Sequence, residues 1–499
     1  MNLAGIIDEH PSDDLALISR GRETTYGELR DQVDRLRGGL SSIGVVDGDR
    51  VALLCSNARH FVISYLATLG LGAVAVPLNP LSPSPELEME ISTVGARFVV
   101  IERVSTPVWT RVDRSAVPTV EVVVSCDPAS APADAVLIDD LLTADPAPRV
   151  DLPPDHLASL IFTSGTAGAP RAAMLTHRGI EATIEQTLSP SGHLEREDVL
   201  YGVLPLFHVF GLNVMLTLGL STGSTIVLVQ RFDPLTAAET IRDRKITVVP
   251  GPPSMWTAFA HFDELPDDTF AGVRLGISGS ARLPVSVARR LRERFGLDVR
   301  EGYGLTEAGA TVTSSVGGPV RLGSVGRAFR GVEIRLLNSD GPALVGDVGE
   351  VQLRGDCIFA GYWNDPEASA AVFTGDGWLK TGDMATVDDD GYLYLVDRAK
   401  DLVIVSGFNV YPAEVEEVLV RHPSVIEAGV IGVPHPHTGE AVKAFVVTEP
   451  GDPVDEDSLI EYCLDHLARY KCPSKIMFVD ALPRNRIGKL VRRDLTASS

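Results

Sequence analysis

The sequence predicts an α/β protein. A large N-terminal part is built on two mainly parallel sheet regions with a small antiparallel β unit, and a small α+β unit follows at the C-terminus. Three observations carry this reading. Short apolar, β-branched runs alternate with amphipathic segments through most of the 499 residues, the pattern of parallel strands joined by helices. After about Gly323 the pattern changes to short strands punctuated by glycine. A charged break, Asp397-Arg398-Ala399-Lys400-Asp401, then precedes a fresh apolar run over 402–405.

Taken in order, residues 25–40 read as an amphipathic helix, and 51–55, 73–76 and 98–101 as buried strands. Residues 127–155 are rich in Pro, Ala and Asp and read as a surface linker between the two sheet regions. Strands are expected at 159–162, 225–229 and 246–249, and a helix at 284–294 with Pro284 in its first turn. The antiparallel unit takes 331–337, 350–354 and 391–396. The main boundary falls at the charged break, giving one domain over 1–397 and another over 402–499. In the latter Leu459, Ile460, Cys463, Leu464 and Leu467 repeat at helical spacing behind the acidic start Asp455-Glu456-Asp457. The chain carries no internal repeat.

Composition excludes several classes. Lys and Arg number 44 against 67 Asp and Glu, a formal charge of −23, which opposes sequence-independent binding to nucleic acid. At 44% hydrophobic and 22% charged residues the chain is not disordered. Its five cysteines form no C-x-x-C pair and suit a reducing cytoplasm, the expected location. The first ten residues carry acid where a signal peptide needs base. Two apolar stretches, 61–77 and 204–229, are broken too often by polar residues, glycine and proline for a spanning helix. A peripheral membrane contact stays open.

The strongest local feature is Leu160-Ile161-Phe162-Thr163-Ser164-Gly165-Thr166-Ala167-Gly168-Ala169-Pro170-Arg171. A strand runs into hydroxyls and glycines and ends on a fixed cation, the chemistry of a phosphate cradle. It is neither a Walker loop nor G-x-G-x-x-G. Glu301-Gly302-Tyr303-Gly304-Leu305-Thr306-Glu307 offers an aromatic face for a purine, a hydroxyl for a phosphate oxygen and a carboxylate for Mg²⁺. Trp378-Leu379-Lys380-Thr381-Gly382-Asp383 presents a carboxylate able to accept both ribose hydroxyls. Residues 471–493 hold seven Lys or Arg against one acid, Asp480. Singly, each segment also reads as a plain turn or a solvated charge run.

In this order the motifs resemble the adenylate-forming superfamily: acyl-CoA synthetases, 4-coumarate–CoA ligases, luciferase-like enzymes and peptide-synthetase adenylation domains. The resemblance runs from about Thr24 to Leu495. It is nearest to bacterial fatty-acid–CoA ligases, through Leu204-Pro205-Leu206-Phe207-His208-Val209-Phe210-Gly211 and the form of the 301–307 motif. It implies a β-barrel-like third subdomain and a hinge at 398–401, with ATP and Mg²⁺ as cofactors and CoA as co-substrate. By the same resemblance Thr163, Ser164, Gly165, Thr166, Gly168 and Arg171 wrap the ATP phosphates. Gly279, Ser280, Ala281 and Tyr303, flanked by Glu301, Gly302 and Gly304, hold adenine. Asp383 and Arg398 grip the ribose, Thr306 touches the α-phosphate and Glu307 holds Mg²⁺. Lys489 matches the lysine of the adenylation step, Lys400 the hinge, His208 an acid-positioning residue, and Ser406-Gly407-Phe408 the pantetheine tunnel.

The sequence also departs from the pattern. Ala167, Arg171 and Ala172 stand where relatives carry a hydroxyl residue, Lys and Gly. Arg keeps the charge and changes its shape. Arg282 stands where relatives commonly have Pro, and the sequence assigns it no role. The expected substrate is a medium- or long-chain fatty acid, from the apolar run 204–220. Gly302 stands where malonate-activating relatives place Arg. Two alternatives are an enzyme that loads a carrier protein's pantetheine and a catalytically impaired nucleotide-binding scaffold.

Overall fold

Each sheet region buries both faces of its strands. One face, with Val51, Leu53 and Val248, packs into a core that the two regions share, and the other, with Ala52, Leu54 and Val249, packs into a core of its own. The computed structural model describes all residues except 1, 164–169, 189–193, 339–340, 399–400, 407, 437, 449–450, 452–453, 486–488 and 497–499, together with the side chains of Arg398 and Thr496. One sheet has seven strands, in the order Val136–Leu137, Val122–Ser125, Phe98–Ile101, Arg50–Leu54, Val74–Pro77, Leu157–Thr163 and Arg171–Thr176. All neighbours are parallel until the last pair, which is antiparallel. The other has nine strands. Its six central ones, Val299–Tyr303, Leu275–Ser278, Val248–Gly251, Val199–Gly202, Thr225–Leu228 and Leu15–Ser19, are parallel, and its edges are antiparallel.

The helices Tyr26–Ser42 and Arg59–Gly70 and the segment Phe210–Thr222 fill the shared core, with Tyr26, Phe61, Tyr65, Leu212 and Met215 buried. Truncating such a side chain, Phe61→Ala for instance, costs about 3–5 kcal/mol. The first helix starts where sequence places it, because Thr25 and Glu28 form a reciprocal cap: Glu28 N–H donates to Thr25 Oγ1 at 3.2 Å, and Thr25 N–H donates to Glu28 Oε2 at 3.0 Å. Residues 210–217 wind as a π-helix, a wider turn common at functional sites.

A five-stranded antiparallel sheet follows, ordered Gly341–Pro342, Glu333–Asn338, Gly349–Arg354, Leu379–Val387, Leu393–Arg398. The C-terminal unit pairs Val425–His435 with Gly439–Thr448 over a long antiparallel register. The helices Pro412–Val420 and Glu456–His466 and the strand Lys475–Phe478 complete it around Val410, Val415, Leu419, Leu459 and Cys463.

Two local expectations change. Pro284 precedes the helix Val285–Phe295 as its N-cap, with φ −58° and ψ 133°, so the chain is still extended there. Residues 127–155 are more than a linker. Within them the strand Val136–Leu137 joins the seven-stranded sheet at its edge, and the turn Ile138–Leu141 packs on the first helix. Its approach is close: a Cβ on Gly39 would lie 2.4 Å from the Leu141 carbonyl. Proline-rich composition hid this pairing. Among the described residues no helix is long and apolar enough to cross a membrane.

Candidate active site

Parallel strands deliver loops at their C-terminal ends, and the motifs sit there. Thr163 ends the strand Leu157–Thr163, Gly279-Ser280-Ala281 follows Leu275–Ser278, and Tyr303 ends Val299–Tyr303. These ends open into one cleft of about 2030 Å³ between the N-terminal body and the C-terminal unit. The residues that flank the phosphate-loop segment are paired, Thr163 with Arg171 and Phe162 with Ala172 across antiparallel strands. Ser164, Gly165, Thr166, Ala167 and Gly168 lie outside the described residues. Ala172 is buried, and its carbonyl accepts from Trp363 N–H at 2.8 Å. A paired strand residue has no need of glycine's freedom, so the Ala172 departure falls on a paired strand position.

Around the residues expected to hold the nucleotide, the polar groups position one another. Tyr303 Oη donates to Asp383 Oδ2 at 2.7 Å, which fixes the carboxylate beside the ring. Asp383 is held from behind by Thr381, whose Oγ1 accepts its N–H at 3.0 Å. Gly304 is required where it stands, because a Cβ would lie 1.9 Å from the Ala310 carbonyl oxygen. Ser280 takes a left-handed φ of 72°, a conformation costing a non-glycine residue about 1–3 kcal/mol and typical of ligand clamps. Glu301 is buried and does not line the cleft. Its Oε2 accepts from Leu283 N–H at 3.1 Å, so it braces the adenine loop from beneath. Burial pushes its carboxyl up to about 7, against the pull of the Leu283 N–H and the Arg282 charge.

Tyr362 is a site residue that the motifs did not reveal. Its Oη donates to Glu307 Oε1 at 2.7 Å, and the Arg171 guanidinium lies over its ring at 5.7 Å. Arg171 also donates from Nε to Asp365 Oδ2 at 3.1 Å. The phosphate-loop cation and the candidate metal carboxylate are thus linked through one phenol. Tyr362 lies in the connection between the antiparallel strands Gly349–Arg354 and Leu379–Val387 and has no motif around it. Glu307 suits a hard cation. Magnesium takes one or two carboxylates plus phosphate oxygens and water instead of an all-protein cage, and the described residues hold no group of three or more His, Cys, Asp or Glu able to cage a metal.

His208, the expected acid-positioning residue, faces the cleft with its tautomer set. Its Nδ1 accepts from Phe210 N–H at 3.2 Å, which leaves the proton on Nε2. Burial, and then the Lys489 ammonium, push its pKa down to about 4. The ring is therefore a neutral donor at physiological pH. Lys489 lines the same cleft as Thr306, Glu307 and Asp383. Its backbone is fixed by a small ring of contacts: Lys489 N–H donates to Asn485 Oδ1 at 2.9 Å, and Asn485 N–H to the Lys489 carbonyl at 2.8 Å. Beyond His208 the wall is apolar, with Phe210, Val214, Leu218, Val248, Ile277, Val316 and Phe329. The Phe210 ring closes on Gly279, where a Cβ would meet Cζ at 3.0 Å.

Ser406-Gly407-Phe408 are expected at the pantetheine tunnel after the small domain turns. Ser406 and Phe408 do not line the cleft. Phe408 is exposed and stacks on Tyr470 at 4.8 Å. Gly407, Lys400 and the Arg398 side chain lie outside the described residues, although the Arg398 backbone pairs with Asp383.

This geometry agrees with the comparisons. The family described as AMP-binding enzyme matches residues 6–363, and its C-terminal domain matches 414–489. The chain belongs to the AMP-binding enzyme family. It is 36% identical over 498 residues to a 3-[(3aS,4S,7aS)-7a-methyl-1,5-dioxo-octahydro-1H-inden-4-yl]propanoyl:CoA ligase of Mycobacterium tuberculosis, covering 97% of this chain and 95% of that protein. It is 32% identical over 519 residues to a long-chain-fatty-acid–CoA ligase of Bacillus subtilis, covering 97% and 91%. Among solved structures, ATP-bound MatB from Rhodopseudomonas palustris superposes with a TM-score of 0.92 at 32% identity, covering 100% of this chain and 99% of that one.

Proposed function

We propose that this member of the AMP-binding enzyme family is an AMP-forming acid–CoA ligase acting on an apolar carboxylic acid. The observation that carries the reading is the convergence of Lys489, from the C-terminal unit, with His208, Thr306, Glu307 and Asp383 in one cleft. The enzyme uses ATP and Mg²⁺, with CoA as co-substrate. In the first half-reaction a carboxylate oxygen attacks the α-phosphorus of ATP, the bond to the bridging oxygen breaks, and pyrophosphate leaves. Two anions meet in that step, so catalysis is mainly charge neutralisation and in-line positioning. Lys489 supplies the cation between them, and His208 Nε2–H orients the carboxylate. Tyr303 and Asp383 hold the nucleoside, Thr306 meets the α-phosphate, and Arg171 takes the departing phosphates. Glu307, steadied by Tyr362, would hold Mg²⁺, which offsets the charge of the leaving pyrophosphate. In the second half-reaction the CoA sulfur attacks the acyl carbon, the bond to AMP breaks, and the thiol proton passes to solvent.

The acid is a medium- or long-chain fatty acid, on the strength of the apolar wall from Val214 to Phe329. A bulkier ring-bearing propanoate is the second reading, favoured by the 36% identity to the indenyl-propanoyl ligase. The deciding experiment is ATP–pyrophosphate exchange over a panel of straight-chain, aryl and polycyclic acids, followed by transfer to CoA or to a holo-carrier protein, with products identified by mass. Exchange with the apolar acids and a CoA thioester are expected. No exchange with any acid would overturn the reading in favour of a nucleotide-binding scaffold, and transfer to the carrier alone would replace CoA as acceptor.

A further inference from the structure

The loop that follows the strand Leu275–Ser278 does more than border the nucleotide. Its next residue, Arg282, reaches across the cleft, and Nη2 donates to Glu417 Oε2 at 2.6 Å. Glu417 lies on the helix Pro412–Val420 of the C-terminal unit, and its other oxygen accepts from Arg421 Nη2 at 2.8 Å. Each carboxylate oxygen therefore has its own guanidinium, one from its own helix and one from the opposite body. The pair is largely sheltered, with side-chain exposures of 32% for Arg282 and 20% for Glu417, so salt screens it less than a surface pair.

A second contact grips the same helix at its start, where Ala413 N–H donates to Asp397 Oδ2 at 2.9 Å. Asp397 adjoins the boundary at 398–401, so a rotation about that boundary displaces this contact least. Arg282 belongs to the body far from the boundary in sequence, and its partner Glu417 lies one turn further along the helix. A turn of the C-terminal unit must break the outer contact first. Lys489 rides on that unit.

We propose that Arg282 is a positioning residue, whose ion pair with Glu417 clasps the adenine loop to the C-terminal unit and holds the orientation that puts Lys489 in the cleft. The proposal rests on the ligase reading for its kinetic consequence. The clasp adds stability to one orientation only, so it shifts the balance between half-reactions. Cutting it lowers the fraction of molecules with Lys489 in place and slows acid adenylation. Transfer from supplied acyl-AMP needs Lys489 elsewhere and is unchanged or faster. A residue with a merely structural role would lower both.

The test is a double-mutant cycle in the full-length chain with Arg282→Gln, Glu417→Gln and the double variant, plus Arg282→Lys as the conservative rescue. Pyrophosphate exchange is expected to fall about three- to tenfold in either single variant, with no further loss in the double. Arg282→Lys is expected to restore most of it. Transfer from acyl-AMP should not fall. Energy transfer between fluorophores, one on each unit, reads the orientation without any turnover and should shift in Arg282→Gln and return in Arg282→Lys. Equal loss in both half-reactions, additive losses in the double variant, or an unshifted fluorescence signal would overturn the clasp. Absent exchange in the unaltered chain would overturn the ligase reading alone, and the fluorescence arm would still decide the clasp.

Discussion

At the nucleotide end of the cleft, polar side chains hold one another in place. Tyr303 bonds Asp383, Tyr362 bonds Glu307, Glu301 bonds the backbone at Leu283, and Arg171 bonds Asp365. At the proposed acid end, Val214, Leu218, Val248, Ile277 and Phe329 offer shape without direction, and His208 supplies a fixed donor. The contrast teaches where specificity resides. Hydrogen bonds reject a ligand that cannot satisfy them by large factors, whereas an apolar wall discriminates by size and weakly. On the proposed reading the nucleotide is fixed by chemistry and the acid by volume.

The strongest way to break this comparison is Lys489→Ala, which removes the cation shared by both ends. Adenylation should fall on the order of 10²–10³-fold, while thioester formation from supplied acyl-AMP persists. Equal loss of both steps would remove the division of labour. Next, Leu218→Ala should open the acid end and leave the nucleotide end alone. The ratio of kcat/KM between bulky and small acids should rise about ten- to 100-fold with KM for ATP unchanged, and a matching change in that KM would show that the ends are not independent.

Tyr303→Phe sharpens the comparison from the other side. It removes one hydrogen bond from the Asp383 carboxylate and should raise KM for ATP about tenfold, with the order of preferred acids intact. The smallest effect concerns Glu301. Its carboxyl sits near 7 in the folded chain against an ordinary 4.5, so its raised value contributes stability below pH 4.5 that is lost as pH rises through 7. Glu301→Gln should flatten the fall in Tm across that window by about 1–2 °C. An unchanged Tm–pH curve would mean that the carboxyl is not held protonated.

The motifs were legible because glycine, hydroxyl and charged residues are sparse and their order is specific. Phosphate and ribose chemistry demands those residue types, so Thr163, Arg171, Thr306, Glu307, Asp383 and Lys489 stood out in the chain. Helix 26–42 was equally legible, because its cap is local. Tyr362 was not, since a phenol in an unremarkable segment gains its role only when the fold lays it between Arg171 and Glu307. Arg282 looked like a departure without purpose until Glu417 appeared opposite it. The linker at 127–155 hid a strand because a two-residue edge pairing leaves almost no periodic trace.

Sequence by itself therefore determined the fold class and the nucleotide chemistry and singled out Lys489 as the candidate lysine, because each rests on residue type and local spacing. Tertiary structure alone decided which orientation brings Lys489 to His208, which side chains brace the reacting groups, and where the apolar wall lies. Those depend on contacts between residues hundreds of positions apart. A linear pattern records what a residue is able to do, and only the folded chain supplies the partner with which it acts.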